Sequence, residues 1–132
     1  MRLDLYPTPE QVQTLLAGPA DTPVVMLNLL RFRDRTEDDD DTGRASYAKY
    51  GDGIRSMLEA TGARVLWQGR GDSVVIGDDA DDWDAVILVE YPSRAKFLEM
   101  VSRPDYQEQS SHRTSALADS RLVACTEVFR NL

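Results

Sequence analysis

Two segments of this sequence are apolar at both odd and even positions, a pattern that few folds accommodate. The first covers residues 24–30, where only Asn28 is polar, and the second covers residues 83–91. Strands with this pattern are covered on both faces, whereas a strand with one wet face alternates apolar and polar residues. The two segments therefore predict central strands of a sheet that is shielded on both sides.

Helix and turn signals predict the remaining elements. Thr8 followed by Pro9 begins a short helix over residues 9–17, and Gln11 completes a capping box. Amphipathic spacing predicts a helix over residues 44–61, with Gly62 suited to its C-cap. The other predicted elements are a strand that starts at residue 65, bends at 69–71 and resumes at 74–76, helices after Pro92 and from Pro104, and a last strand over 121–129.

The order of these elements indicates the fold. After the N-terminal helix it reads strand, helix, strand, strand, helix, strand, which is the βαββαβ order of a ferredoxin-like α+β fold. Such a fold has one four-stranded antiparallel sheet with both helices on one face. Right-handed crossovers place the strands at 24–30 and 84–90 in the middle of the sheet. All 132 residues are expected to form one domain.

The predicted sheet has one face that its own helices cannot cover. Both central strands are apolar on that face, and monomers rarely expose several hundred Å² of contiguous apolar surface. At about 25 cal/mol per Å², covering it is worth on the order of 10 kcal/mol before the costs of association. A second copy related by a two-fold axis is the simplest cover. We therefore expect a homodimer that packs sheet to sheet.

Composition excludes several classes of protein. The formal charge of −8 disfavours nucleic acid or an anionic membrane as the main partner. No apolar run approaches the roughly 18 residues of a membrane span, and the N-terminus lacks the apolar stretch of a signal peptide. A single cysteine, Cys125, excludes a disulfide framework and is consistent with a reducing cytoplasm.

Two acidic runs, at residues 34–43 and 78–84, raise the question of a metal site. Neither has the alternating ligands, turn glycine and distal glutamate of a calcium loop, so we expect no metal site. The first run also has no apolar residue to anchor it, which predicts a mobile loop.

Several short motifs resemble one family. They are Gly62-Ala63-Arg64-Val65-Leu66-Trp67, Trp83-Asp84-Ala85-Val86, Glu90-Tyr91-Pro92-Ser93-Arg94, Pro104-Asp105-Tyr106-Gln107, His112-Arg113 and Asp119-Ser120-Arg121-Leu122. Over residues 23–126 the chain resembles the family called domain of unknown function 1330. The resemblance implies the dimeric α/β-barrel superfamily, which includes cofactor-independent monooxygenases, muconolactone isomerase-like enzymes and heme-binding proteins. It implies no particular activity.

Three polar residues are candidates for chemistry. Asn28 interrupts an apolar strand, so it either orients a ligand or is an amide satisfied by its neighbours. His112 is the only histidine and hence the candidate general base, although a lone histidine on a polar helix face is commonly a surface residue. Arg113 is either an anion anchor or a structural ion-pair partner. Adjacent helix positions point about 100° apart, so His112 and Arg113 cannot both face one pocket squarely.

Four further residues are candidate ligand contacts. Arg31, with Arg33 and Arg35, could bind a carboxylate or phosphate, but neutralising the adjacent acidic loop is the interpretation we favour. Tyr47, Tyr50 and Trp67 could form pocket walls, but at their helical and strand spacing ordinary core residues are the interpretation we favour.

These residues predict a small-molecule-binding dimer, with candidate cofactor-independent catalysis on an apolar or aromatic substrate. Asn28 would orient the substrate, His112 would abstract a proton, and Arg113 or Arg31 would hold an anionic group. Two alternatives remain: a non-catalytic binding or regulatory module, and a structural dimer whose cavity holds no more than a water or two. Heme binding is the weakest alternative, since His112 is the only good axial ligand and nothing else in the sequence supports it, so no cofactor is expected.

Overall fold

One antiparallel sheet backed by helices organises this protein. A computed structural model describes residues 6–131. Within that range it has four α-helices, four strands and a short 3-10 turn at Asp79–Asp81. In chain order the elements are α1 (Pro9–Leu16), β1 (Val24–Phe32), α2 (Gly43–Thr61), β2 (Arg64–Arg70), β3 (Ala85–Tyr91), α3 (Arg94–Val101), α4 (Pro104–Ala116) and β4 (Leu117–Cys125).

The strand order confirms the predicted topology. The sheet runs β2-β3-β1-β4 and every neighbouring pair is antiparallel, so β1 and β3 are central. Met26 shows the register, since it lies opposite Val89 on one side and Ala124 on the other. The sheet is open, with β2 and β4 as its edges, and a closed barrel would need strands from elsewhere.

The two faces of the sheet differ in cover. The helix side holds the buried residues of β1 and β3, among them Met26, Leu30 and Ile87. Because side chains alternate along a strand, the residues between them face the other way. That second side, which we call the open face, carries Val25, Leu27, Leu29, Val86, Leu88 and, by their pairing with these strands, Trp67 and Val123.

Local signals fix the helix ends as predicted. Thr8 and Gln11 form both hydrogen bonds of the capping box at α1. The Thr42 hydroxyl accepts from the Ala45 amide at the start of α2, and Gly62 ends that helix with a φ of 83°, a left-handed conformation that favours glycine. Helix α2 packs along α4, and the Ser46 hydroxyl donates to the His112 carbonyl oxygen at 2.9 Å.

Two predicted strand boundaries are wrong. The second strand does not resume at residues 74–76; Val75 and Ile76 are 90% and 94% exposed, because β3 begins at Ala85 and offers them no partner. The last strand occupies Leu117–Cys125 instead of 121–129. Its end is set by β1, since Cys125 pairs with Val25 near the start of that strand and the pairing does not continue into residues 126–131.

The acidic segment 34–43 is anchored by polar groups. Thr36 is buried and exchanges backbone hydrogen bonds with Asp41 and Asp39. Arg33 pairs with Glu37, Arg35 with Asp39 and Lys49 with Asp41, at 3.1, 2.9 and 2.7 Å. Two of the three arginines therefore neutralise this loop, as we favoured. Its mobility stays a prediction.

Candidate functional site

A cavity of about 1280 Å³ lies between the helix side of the sheet and the helices. Strands β1 and β3 form its floor with Met26, Ile87 and Val89, while α2, α3 and α4 form the roof. Val12 and Leu15 of α1 also line it, so the short N-terminal helix closes part of its wall. The lining is largely aliphatic and aromatic, with a few polar groups, as is typical of small-molecule pockets.

Four of the tyrosines in this wall come from α2, β3 and α4. They are Tyr47, Tyr50, Tyr91 and Tyr106. Tyr50 and Tyr106 share a hydrogen bond of 2.7 Å between their hydroxyl oxygens, and the Tyr47 ring lies 5.2 Å from the Tyr50 ring. Among residues 6–131, no group hydrogen-bonds the hydroxyl of Tyr47 or Tyr91, and neither hydroxyl is sealed from solvent. Both are therefore accessible to a ligand.

The environment keeps the phenols of Tyr47, Tyr50 and Tyr91 protonated. Burial raises the pKa of Tyr47 to about 12, against the opposing effect of the Arg113 charge. Burial also raises the pKa of Tyr91, and burial together with Tyr106 raises that of Tyr50 well above its ordinary value. At neutral pH these groups are hydroxyl donors that cannot act as bases.

Arg113 and Ser120 form a polar end to the cavity. Arg113 lies on α4, and its Nη2 donates to the Oγ of Ser120 at 3.5 Å. Ser120 lies on the neighbouring strand β4 and is only 3% exposed. Arg113 is close enough to Tyr47 and Tyr50 for its charge to oppose the rise in both pKa values. A cation and a buried hydroxyl thus meet at one end of the cavity, and the charge of the cation reaches the phenols of Tyr47 and Tyr50.

Asn28 lies in the floor, on the helix side of β1. Its Nδ2 donates to the carbonyl oxygens of Met26 and Ile87, each at 3.3 Å. These two acceptors orient the amide, because only the nitrogen can donate to them. Within the described residues nothing donates to Oδ1, which leaves an acceptor accessible at the cavity.

The structure does not bring all the predicted site residues together. Asn28, Tyr47, Tyr50 and Arg113 line the cavity, whereas Trp67, Arg31 and His112 do not. Trp67 pairs with Leu88 on the open face and is half exposed, because a register shift between Val65 and Trp67 turns it away from the helices.

Arg31 and His112 have contacts elsewhere. Arg31 pairs with Asp119 at 3.3 Å and Asp82 at 3.1 Å, and its guanidinium lies 4.7 Å from the Trp83 ring centroid. His112 is one position before Arg113 on α4, so the two side chains diverge as the helical geometry predicts and Arg113 alone lines the cavity. The catalytic role of His112 stays a prediction.

Three of the polar lining residues described above, Tyr91, Tyr106 and Ser120, were not predicted from the sequence. Tyr91 continues the alternation of Ala85, Ile87 and Val89 along β3, so the strand period could have placed it. Tyr106 precedes Arg113 by seven residues, a helical repeat that puts both on one side of α4. Ser120 could not have been found, because the last strand was predicted to begin after it.

Neither a metal site nor a membrane span is found in the described part of the chain. Residues 6–131 contain no group of three or more histidine, cysteine, aspartate or glutamate side chains placed to hold a metal ion. None of their helices is both long enough and apolar enough to cross a bilayer.

The open four-stranded sheet, the helices on one side and the cavity between them define a ferredoxin-like α+β protein. A family model described as Domain of unknown function (DUF1330) matches residues 40–127, and the chain belongs to this family. A protein of unknown function from Rhodopseudomonas palustris is 38% identical, with a TM-score of 0.88 over 96% of this chain and 98% of that one.

More distant solved structures share the fold. Hydroxynitrile lyase from Passiflora edulis is 13% identical, with a TM-score of 0.58 over 83% of this chain and 99% of its own. A dimeric protein of unknown function with a ferredoxin-like fold from Bacteroides fragilis is 9% identical, with a TM-score of 0.52 over 81% and 98%. Comparison with curated proteins gives no match.

Proposed function

We propose that this protein binds a small molecule with an apolar or aromatic body in the cavity between sheet and helices. The observation that carries the proposal is the set of accessible hydroxyls in a mostly apolar wall. Tyr47 and Tyr91 each present a hydroxyl without a partner in the described chain, and an occupant that accepts hydrogen bonds would satisfy them. The volume of this cavity, about 1280 Å³, is also far larger than the water-sized void expected of a purely structural dimer.

A binding function is favoured over a catalytic function in which His112 is the general base. A general base must lie within hydrogen-bond reach of the proton that it abstracts, directly or through one water. His112 does not line the cavity, and Tyr47, Tyr50 and Tyr91 keep their protons at neutral pH because burial raises their pKa values. Cofactor-independent catalysis remains the second candidate because the hydroxynitrile lyase shares the fold. Once a ligand is known, unchanged turnover by His112→Ala would exclude this histidine as the base.

The homodimer is part of this proposal. The apolar open face supports it, as does the dimeric Bacteroides fragilis protein of the same fold. Two sheets packed through their open faces would leave each cavity on the outside of the pair, beneath its own helices. The single cysteine is consistent with a cytoplasmic location.

Native mass spectrometry tests the binding function. Protein purified from its own host is expected to retain a small molecule, or to acquire one from a panel of apolar and aromatic compounds. Ala124→Trp, which fills the cavity from β4, should abolish binding, whereas Ala95→Trp on the exposed side of α3 should leave it unchanged. A wild-type protein that neither retains nor acquires a ligand, or equal binding by both variants, would contradict the proposal.

A further inference from the structure

A second, smaller cleft lies beside the main cavity and carries two arginines. Its volume is about 300 Å³, and the start of α2 and the end of β2 form its walls. Arg44 and Arg70 line this arginine cleft, and no aspartate or glutamate of the described chain does. The whole chain has a formal charge of −8, so a cleft with two cations and no acid favours an anionic occupant.

The charges of both arginines are available to such an occupant. Most arginines and lysines of the described chain pair with a carboxylate. Among residues 6–131, neither Arg44 nor Arg70 forms an ion pair or a side-chain hydrogen bond. An anion in the arginine cleft would therefore displace no internal partner.

The position of the Arg44 guanidinium is set by stacking. It lies 4.8 Å from the centroid of the Phe32 ring, which also lines the arginine cleft. The Phe32 ring in turn packs on Tyr47 at 5.6 Å. Stacking uses the flat face of a guanidinium and leaves its N–H donors at the edge free. Arg44 is thus held at the cleft with its hydrogen-bonding capacity unused.

The strand register directs Arg70 toward the same side. Arg70 pairs with Ala85 and Gln68 pairs with Ile87, and both partners are buried against the helices. Residues that pair across antiparallel strands share a face of the sheet. The side chain of Arg70 therefore leaves β2 on the helix side, where α2 carries Arg44.

The arginine cleft is continuous with the main cavity. Tyr47, Ala48, Gln68 and Ile87 line both of them. One molecule can therefore place a charged group in the cleft and an apolar body in the cavity.

We propose that the arginine cleft binds the phosphate group of a phosphate monoester whose apolar or aromatic body occupies the main cavity. A phosphate monoester carries a charge of about −1.5 to −2 at pH 7, which two guanidinium groups neutralise, whereas a carboxylate would leave one of them uncompensated. Arginine also matches the geometry of phosphate oxygens with paired N–H donors. This inference rests on the proposed binding function and adds the head group of the ligand to it.

Three probes with the same aromatic body separate charge from shape: 2-naphthyl phosphate, 2-naphthoate and the neutral 2-naphthamide. Titration calorimetry at low ionic strength measures their affinities, and loss of binding in Ala124→Trp verifies that the body lies in the cavity. The phosphate should bind at least about tenfold more tightly than the amide, with the carboxylate between them, as expected for two partly exposed charge pairs. High salt should reduce this preference, because it screens exposed charges.

Substitutions of the two arginines locate the head group. Arg44→Gln and Arg70→Gln should each reduce the preference for phosphate over amide about threefold, and the double variant should remove it. Lys96→Gln is the control, since it removes the same charge from a lysine that pairs with Glu99 at 3.4 Å and lines neither the cleft nor the cavity. It should retain the full preference, and Arg44→Lys should retain part of it.

The outcomes distinguish this inference from the proposed binding function. Equal affinity for phosphate and amide in wild-type protein, both lost in Ala124→Trp, would overturn the phosphate site and leave the binding function intact. A preference that survives in the double variant would also overturn it.

Inorganic phosphate tests the cleft without the cavity, because it has no apolar body. Millimolar inorganic phosphate should shift the Nε–Hε NMR signals of Arg44 and Arg70, and these shifts should appear even if all three naphthyl probes fail to bind. Failure of the naphthyl probes alone would count against the binding function. Signals that do not respond to phosphate would overturn the arginine cleft as a phosphate site.

Discussion

At the scale of single residues, the tyrosines of the cavity have different roles despite their shared chemistry. Tyr50 is buried, and its hydroxyl shares a hydrogen bond with the hydroxyl of Tyr106. This hydrogen bond joins α2 to α4. Tyr47, one turn earlier on α2, packs its ring against Phe32 and Tyr50 but leaves its hydroxyl without a partner in the described chain. The hydroxyl of Tyr50 therefore stabilises the fold, whereas that of Tyr47 is available for a ligand.

Replacing each of these tyrosines by phenylalanine separates the two roles. Tyr50→Phe removes the 2.7 Å hydrogen bond to Tyr106 and should lower the free energy of unfolding by about 1–2 kcal/mol. Tyr47→Phe loses no hydrogen bond within the described chain and should change it by less than about 0.5 kcal/mol. Urea denaturation of both variants measures the difference. Equal destabilisation would show that the Tyr47 hydroxyl has a structural partner.

Tyr47 should also affect the stability of the fold at alkaline pH. Burial raises the pKa of Tyr47 from 10.0 to about 12, so the folded state holds this proton more tightly than the unfolded state does. The resulting contribution to stability is complete below pH 10 and is lost as the pH rises from about 10 through about 12. Its upper limit is about 3 kcal/mol. Denaturation across this window should show a smaller loss for Tyr47→Phe than for wild type; identical losses would refute the assignment.

At the scale of elements, the interior of each strand was predictable and its ends were not. Strands β1 and β3 follow from apolar residues on both faces, which depend only on local sequence. The ends depend on pairing. Val128 and Phe129 have apolar side chains that favour strands, yet they are 98% and 82% exposed because β1 starts too late to pair with them. Leu117 begins β4 by pairing with Phe32, a contact that no local pattern reveals.

Much of the candidate site was predictable because it also depends on local sequence. Helical spacing on α2 predicted Tyr47 and Tyr50 as candidate site residues, and the polar interruption of β1 predicted Asn28. The misplacement of Trp67 has a tertiary cause, since a register shift in β2 reverses the direction of its side chain. Sequence spacing could also not decide between His112 and Arg113, because the rotation of α4 about its axis is set by packing against α2.

The start of α2 is fixed by a tight junction between three elements. Gly43 donates its amide to the Arg33 carbonyl oxygen, and the Arg33 amide donates to the Ala116 carbonyl oxygen. A β-carbon on Gly43 would collide with both of those carbonyl oxygens, which are backbone atoms and cannot move away cheaply. Glycine is therefore required where α2 begins, β1 ends and α4 gives way to β4.

A second glycine in the same helix provides the matched control. A β-carbon on Gly51 would meet no atom within 4 Å. We expect Gly43→Ala to lower the free energy of unfolding by about 1–3 kcal/mol through overpacking. Gly51→Ala should raise it by about 0.5–1 kcal/mol, since alanine is the better helix former. Thermal and urea denaturation measure both changes, and a stabilised Gly43→Ala would disprove the tight junction.

At the scale of the whole molecule, the unequal cover of the two sheet faces is the dominant feature. Helices bury one side of β1 and β3, while the open face presents aliphatic residues from the same strands and the half-exposed side chains of Trp67 and Val123. The charged groups of this side lie toward its ends, where Arg31 pairs with Asp119 and Arg130 pairs with Glu90. An apolar centre with a polar rim is typical of a protein interface.

A charge placed in the centre of the open face should therefore prevent dimerisation without unfolding the chain. Leu88 lies on central strand β3 and is only partly buried by its own subunit, so Leu88→Arg should give a folded monomer by circular dichroism. Val75→Arg introduces the same charge at a site that is 90% exposed and outside the sheet, and should remain dimeric. Sedimentation at micromolar concentration distinguishes the species. Burying roughly 400 Å² of apolar surface contributes on the order of 10 kcal/mol, enough to hold the wild type together after the costs of association. A monomeric wild type, or a Leu88→Arg variant that still dimerises, would show that this face is covered in another way.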